Sequence, residues 1–281
     1  MNKIYNKLMP FTIFLDMLGF GNKVGKISDE KEAKEFIVFM QSNKGIFKII
    51  KDLNNQCPFN IINNNYEFKF SFISDSIIIL AYPLELDNSI TKDKYYQLSV
   101  HMFMSLYNKL LPLFFNLWEH KKILLRGGIS NKFSYIENEF VVGEGLIEAY
   151  KLESKDNGAI YPRIILSKDI THDNKFMETL KKNSKSLYKT DKNIITKDKQ
   201  DDYFFLHYFN LLQNQEQNHL QIKESNKKFY SFHKEAIEEM KIFMDSQEGK
   251  KDFEKIKAKY NWIKSYHNEN VPNEYKILSE G

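Results

Sequence analysis

The sequence predicts an α+β fold in which helices pack on a mostly antiparallel sheet. Two observations predict it. The segments alternate in the order strand, helices, hairpin, helix, paired strands, helix, strand. One of them, Phe68-Lys69-Phe70-Ser71-Phe72-Ile73, alternates with period two and meets Ile77-Ile78-Ile79-Leu80 across Ser74-Asp75-Ser76, the pattern of a β-hairpin with an aspartate at its turn.

The first element is Thr12-Ile13-Phe14-Leu15-Asp16-Met17-Leu18-Gly19-Phe20-Gly21. A short apolar run bounded by turn residues reads as a buried strand, which sets Asp16 at the strand end. Gly19 and Gly21 flank Phe20 and let backbone N–H groups approach a ligand closely. By itself the stretch serves equally as a strand, a buried capping aspartate and a turn. Ser28 is expected to cap a helix that starts at Asp29, with Asp29, Glu30 and Glu32 favoured by the helix dipole. Phe36, Phe39, Met40, Phe47 and Ile50 carry that helix, or a helix pair, to about Asn54. The hairpin follows at 66–82. A second long helix spans 95–119, with Leu98, Met102, Leu106, Leu110 and Leu113 on one side and Pro112 as a point of bending. His101 and His120 on this helix have no partner at metal-ligand spacing and read as surface or core histidines.

Residues 123–129 read as a strand, 133–142 as a second, 144–152 as a helix and 159–166 as another strand. The polar, Lys-rich stretch 171–200 reads as helix and exposed loop, with Lys181, Lys182, Lys197 and Lys199 on a solvated face. Residues 203–209 read as the closing strand. Two amphipathic helices, 229–244 and 253–266, follow, separated by polar 245–251.

Composition narrows the function. Of 281 residues, 42% are hydrophobic and 15% aromatic, enough for a real core. The net charge is +4 from 41 basic and 37 acidic residues, a salted surface and not a nucleic-acid footprint. The single cysteine, Cys57, excludes an internal disulfide framework, fits a reducing compartment and reads as incidental in a polar loop. Apolar runs such as 77–82 fall far short of the roughly 20 residues a membrane span needs. Asp16 interrupts the apolar run after Lys3 and Lys7 and no cleavage pattern follows, so the expectation is a cytoplasmic protein. Asp16 and Asp75 are two strand-end carboxylates. If their strands are neighbours they can hold a pair of Mg²⁺ ions, which take one or two carboxylates plus substrate phosphates.

The two stretches together resemble the class III nucleotide cyclases, whose core begins with a strand ending Phe-x-Asp-x-x-Gly-Phe and whose second metal aspartate lies in a hairpin turn. Leu125-Arg126-Gly127-Gly128-Ile129 is similar to the family's Arg-x-Gly-Ile strand. The run from Gly143 to Glu153 stands at the family's helix motif, Gly-x-x-Val-Asn-x-Ala-x-Arg. The resemblance is strongest to the pyrimidine cyclases of Pycsar antiphage defence, through Ser74-Asp75-Ser76, Arg126-Gly127-Gly128-Ile129, Ala149-Tyr150-Lys151-Leu152-Glu153 and Pro162-Arg163-Ile164. Lys259-Tyr260-Asn261-Trp262 and Tyr266-His267-Asn268 extend it nearly to the C-terminus.

The resemblance implies a ferredoxin-like cyclase core over 1–210; the amphipathic spacing of 211–281 predicts a C-terminal helical extension packed on that core or at a dimer contact. The resemblance also implies two Mg²⁺ or Mn²⁺ ions on Asp16, Asp75 and the Met17 carbonyl. Backbone N–H groups of Leu18, Gly19, Phe20 and Gly21 would cradle the β- and γ-phosphates, and Arg126 would contact the leaving phosphates. Ser71 stands where purine cyclases carry a base-reading Lys, Ile147 where they carry Asn, and Lys151 where they carry the transition-state Arg. Lys supplies charge but not the bidentate fork of Arg. The glycine that follows the Arg-x-Gly-Ile strand in the family is replaced by Ser130-Asn131-Lys132. The implied activity is conversion of UTP or CTP to 3′,5′-cyclic UMP or CMP by a homodimer with composite sites, signalling to a separate effector in phage defence. The alternatives are a purine cyclase and a catalytically silent nucleotide-binding module that signals by dimerising.

Overall fold

A computed structural model describes residues 4–47, 64–138, 140–154, 160–188, 194–209 and 220–278. Its strands are β1 (Ile4–Tyr5), β2 (Phe11–Leu18), β3 (Tyr66–Ile73), β4 (Ser76–Pro83), β5 (Ile90–Thr91), β6 (Leu124–Ser130), β7 (Tyr135–Glu137), β8 (Phe140–Val142), β9 (Ile164–Leu166), β10 (Ile195–Lys197) and β11 (Phe204–Leu206). Its helices are α1 (Phe20–Val24), α2 (Glu30–Lys44), α3 (Lys92–Lys121), α4 (Glu144–Glu153), α5 (Lys168–Thr171), α6 (Asn174–Tyr188), α7 (Leu220–Asp245) and α8 (Phe253–Asn270).

β2 divides the molecule because its side chains alternate between two buried faces. Phe11, Ile13, Leu15 and Met17 are buried on one side, in the large core under α3, α6, α7 and α8. Phe14 faces the other way and packs with Ile78, Leu80, Ile136 and Ala149, beneath α4 and the β7–β8 hairpin. The main sheet runs β10-β11-β9-β6-β2-β4-β3. Every pair in it is antiparallel except β6 with β9. The α+β class read from the sequence is the observed one.

Several expected elements are corrected. The α2 N-cap is Asp29, not Ser28: the Asp29 carboxylate accepts from the Glu32 N–H at 2.8 Å, while Glu32 takes the Ser28 N–H at 2.9 Å. This is a capping box set one residue later than expected. The helix stops at Lys44 and gives way to a 3-10 turn at Gly45–Phe47; the rest of the expected continuation, 48–54, lies outside the described residues, as does Cys57. The strand expected over 133–142 is two short strands turning on each other at Asn138, whose φ of 54° starts the turn. The strand expected over 159–166 shrinks to β9. The stretch 171–200 is not all surface: Phe176 and Leu180 of α6 are core residues, and β10 forms the sheet edge that β11 was expected to be. Tertiary burial overrode polar composition there. The α3 helix runs unbroken through Pro112.

The C-terminal helices are tied to the sheet by two buried polar assemblies. In the first, Arg163 is ion-paired with Asp198 and Asp201, and Trp262 Nε1 donates to Asp198 at 2.8 Å. The guanidinium also lies over the rings of Tyr161, Phe205 and Trp262. The Pro-Arg-Ile and Lys-Tyr-Asn-Trp stretches therefore meet in space. In the second, His267 Nε2 lies 3.0 Å from the Tyr275 carbonyl, and its Nδ1 lies 2.9 Å from His233 Nδ1. A carbonyl only accepts, so Nε2 of the neutral His267 carries the proton and its Nδ1 accepts from His233. His233 Nε2 then accepts from the Tyr208 hydroxyl at 3.0 Å. One directed chain thus links β11, α7, α8 and the tail. The expected boundary at 210/211 lies outside the described residues; the large core itself runs continuously into α7 and α8.

Candidate active site

Asp16 and Asp75 come together through strand register. Asp16 pairs with Ser76 across β2–β4, and the Met17 N–H donates to the Asp75 carbonyl at 3.0 Å. Asp75 sits in the two-residue β3–β4 turn, which Ser74 opens at φ 54°. Both aspartates are half-buried. The two carboxylate-bearing residues, 59 positions apart in the chain, are therefore neighbours, as the resemblance implied.

On the other side Asp16 pairs with Arg126 of β6, and Arg126 Nε donates to Asp16 Oδ2 at 2.8 Å. Arg126 Nη2 lies 2.6 Å from Glu153 Oε1, on the last turn of α4. Arg126 Nη1 is buried with no hydrogen-bond partner among the described residues. Gly128 makes this approach possible: a Cβ there would lie 2.4 Å from the Ala149 carbonyl oxygen, so only glycine lets α4 lie flat on β6. The Arg-Gly-Gly-Ile strand and the Ala-Tyr-Lys-Leu-Glu helix are thus two halves of one contact.

Glu153 closes the helix motif, and the motif alone does not mark it as a site residue. The signal was present: Leu146, Ala149 and Glu153 recur at helical spacing, which sets a carboxylate on the buried stripe of α4. Burial pushes the Glu153 carboxyl above its ordinary value. The Arg126 charge opposes that rise, Asp16 and Asp75 add to it, and Lys259 of α8 subtracts from it. Three carboxylates and two cations therefore share one field.

The remaining predicted residues divide. Leu18 ends β2 and Gly19 turns the chain with φ 77°, so Phe20 and Gly21 start α1 immediately beyond Asp16. Ser71 is buried on β3, paired with Ile78, and is separated from β2 by β4. Ile147 and Lys151 are exposed on the outer side of α4, away from the Asp16 cluster. His101 is half-buried, with burial lowering its pKa, and His120 lies edge-on to the Phe39 ring.

No group of three or more His, Cys, Asp or Glu side chains among the described residues forms a metal-binding cluster. The donors that are present, two adjacent carboxylates, suit a hard cation that completes its shell with water and phosphate oxygens. The residues fit Mg²⁺ or Mn²⁺ on that ground. No helix among the described residues is long and apolar enough to cross a membrane.

No protein-family model and no curated protein matches this chain. Solved structures do. A non-canonical dimeric guanylyl cyclase domain of the RhoGC fusion protein from the aquatic fungus Blastocladiella emersonii is similar at 10% identity and a TM-score of 0.37, covering 73% of this chain and 98% of that one. A bacterial light-regulated adenylyl cyclase is similar at 12% identity and a TM-score of 0.33, covering 80% and 100%. The guanylyl cyclase Cya2 is similar at 13% identity and a TM-score of 0.27, covering 73% and 92%. At such identities the side chains of the site carry the functional reading.

Proposed function

We propose that this chain is a metal-dependent nucleotide cyclase that acts on a pyrimidine nucleoside triphosphate. The observation that carries the reading is the juxtaposition of Asp16, two residues inside the end of β2, with Asp75 in the β3–β4 turn, beside Arg126. In the reaction the 3′-oxygen bonds to the α-phosphorus, the bond from that phosphorus to the bridging oxygen breaks, pyrophosphate leaves and the 3′-hydroxyl proton passes to solvent. Mg²⁺ or Mn²⁺ held by Asp16 and Asp75, with the Met17 carbonyl, would acidify the attacking hydroxyl and neutralise the phosphates. Arg126, bridging Asp16 and Glu153, holds the Asp16 carboxylate in one orientation. The backbone at Leu18, Gly19, Phe20 and Gly21 receives the β- and γ-phosphates.

Pyrimidine choice rests on the sequence resemblance to the Pycsar branch. Ser71 is smaller than the base-reading Lys of purine cyclases, and Ile147 and Lys151 replace their Asn and Arg. The biological role that goes with this reading is a cytoplasmic antiphage signal, cyclic UMP or cyclic CMP, sensed by a separate effector. The test is incubation of the pure protein with each of the four triphosphates and Mn²⁺, followed by separation of products. Cyclic UMP or cyclic CMP is expected; cyclic AMP or cyclic GMP as main product transfers the reading to a purine cyclase, and no cyclic product leaves a nucleotide-binding module.

Lys151 faces away from its own Asp16, so a role in catalysis requires the site of a second copy. Ile147 and Tyr150 beside it on α4 are exposed apolar residues, as are Phe140 and Val142 of β8, of the kind that marks protein contacts. We therefore read the active form as a homodimer with composite sites. Mixing the inactive Asp75→Ala and Lys151→Ala variants should restore activity that neither has alone, and a fully active monomer in sedimentation overturns the composite site.

A further inference from the structure

Two of the three nitrogens of Arg126 already face carboxylates, so its charge is spent on Asp16 and Glu153. Cations for the leaving phosphates must then come from elsewhere. Leu18 closes β2 two residues past Asp16, roughly 7 Å further along the strand. Immediately past Leu18 opens a cavity of about 430 Å³, bounded on one side by the β2–α1 turn and on the other by α7 and α8. Lys23, Lys26, Lys122 and Lys259 line it, with Glu239 as the carboxylate among its lining residues; Lys23 is paired with Glu239 and Lys122 with Glu235, and Lys26 and Lys259 are the cations the proposal turns on. In a chain whose net charge is only +4, this is a marked concentration of positive charge.

The field of these lysines is felt inside. Lys23 bonds Glu239 at 2.6 Å, and Lys23, Lys26 and Lys122 together hold the Glu239 carboxyl below its ordinary value. Lys259 joins the cavity to the carboxylate cluster, since its charge also acts on Glu153. Leu124, Met240 and Ile256 make the back wall apolar, which lowers the local dielectric and strengthens the pull on an anion. A water's share of liquid volume is about 30 Å³, so the space admits a pyrophosphate with several waters.

We propose that this chamber receives the pyrophosphate end of the nucleotide, with Lys259 of the C-terminal helix pair supplying a cation in cis to the departing phosphates. The inference rests on the cyclase reading and deepens it: the C-terminal helices become part of the site. Glu239 is the resident counter-ion of Lys23 that the phosphate displaces.

Calorimetric titration of the full chain with inorganic pyrophosphate, and separately with inorganic phosphate, tests this without turnover. The wild type should bind pyrophosphate more tightly than phosphate. Lys259→Ala and Lys26→Ala should each weaken pyrophosphate by about tenfold or more, the scale of one lost charge-assisted hydrogen bond. Lys259→Arg should retain most of the binding, Glu239→Gln should tighten it, and Lys181→Ala on the exposed side of α6 should leave it unchanged. Lys26 is exposed on the turn after α1, so its variant reports even if Lys259→Ala misfolds. A wild type that binds no pyrophosphate, or folded Lys259→Ala and Lys26→Ala variants that bind it as the wild type does, overturns the chamber. Failure of the cyclase reading shows separately, as absence of cyclic product from every triphosphate while pyrophosphate still binds.

Discussion

Two arginines in this protein each bridge two carboxylates, and they differ in burial and surroundings. Arg163 has a fully buried side chain, pairs with Asp198 and Asp201, and lies over three aromatic rings. Asp198 in turn accepts from Trp262 and from the Gln200 N–H at 2.8 Å. Around it, helix α8, β9 and the β10–β11 turn are locked together. Arg126 pairs with Asp16 and Glu153, but its side chain is partly exposed, Asp16 stays half-buried, and a second aspartate stands alongside. A polar network sealed in the core specifies a fold, whereas carboxylates within reach of solvent can meet a ligand. The difference separates an anchor from a site, although both are built from the same residue types.

Removing the site's own carboxylates draws that distinction most sharply. Asp16→Ala or Asp75→Ala should abolish cyclic nucleotide formation while the thermal melt stays cooperative; near wild-type turnover at saturating metal would remove both from the metal site. Next comes the anchor. Arg163→Met leaves two carboxylates short of their counter-charge and should cost about 3–5 kcal/mol in urea unfolding, the range for breaking a buried ion pair. Arg126→Met, with its pair nearer solvent, should cost less stability and more turnover. Equal stability losses for the two would mean that burial does not separate them.

The smallest effect concerns the uncharged assembly that docks the same helices. Burial lowers the pKa of His267 to about 4 and that of His233 well below its ordinary value, with Lys234 and the neighbouring imidazole adding to the effect. Tyr208 and Tyr266 beside the pair stay protonated, since burial raises both hydroxyls. The unfolded chain therefore binds more protons between the ordinary histidine value near 6.5 and about 4. Stability from these groups is complete above pH 6.5 and declines as pH falls towards 4. Urea midpoints at pH 7, 5.5 and 4.5 should decrease in that order, and His267→Gln should flatten the slope. An unchanged slope in that variant would remove His267 from the acid sensitivity.

Local pattern made several of these elements readable. The alternation of Phe68, Phe70 and Phe72, with Asp75 at the turn, marked the β3–β4 hairpin because a period of two has few other solutions. The apolar run into Asp16 marked β2. By contrast, β10 carries Thr196 and Lys197 in a Lys-rich stretch, and its strand state comes from pairing with β11, which no local pattern announces. The split of 133–142 into β7 and β8 is likewise invisible to hydrophobicity, because both halves satisfy strand propensity and the turn at Asn138 is chosen by the backbone.

By itself, then, the sequence determined the α+β class, the hairpin with its turn aspartate and the order of motifs along the chain, since each depends on neighbours a few residues apart; β2 runs two residues past Asp16, which pairing with β6 decided. Tertiary structure alone decided that Asp16 stands beside Ser76 and Arg126, because register sets which residues face each other across a ladder. It alone decided that Arg126 is held by Glu153, which requires α4 to lie on Gly128. And it alone brought Lys259, 240 positions after Gly19, to the same cavity as that glycine. Charge acts through space, and the spacing of residues along the chain carries no record of it.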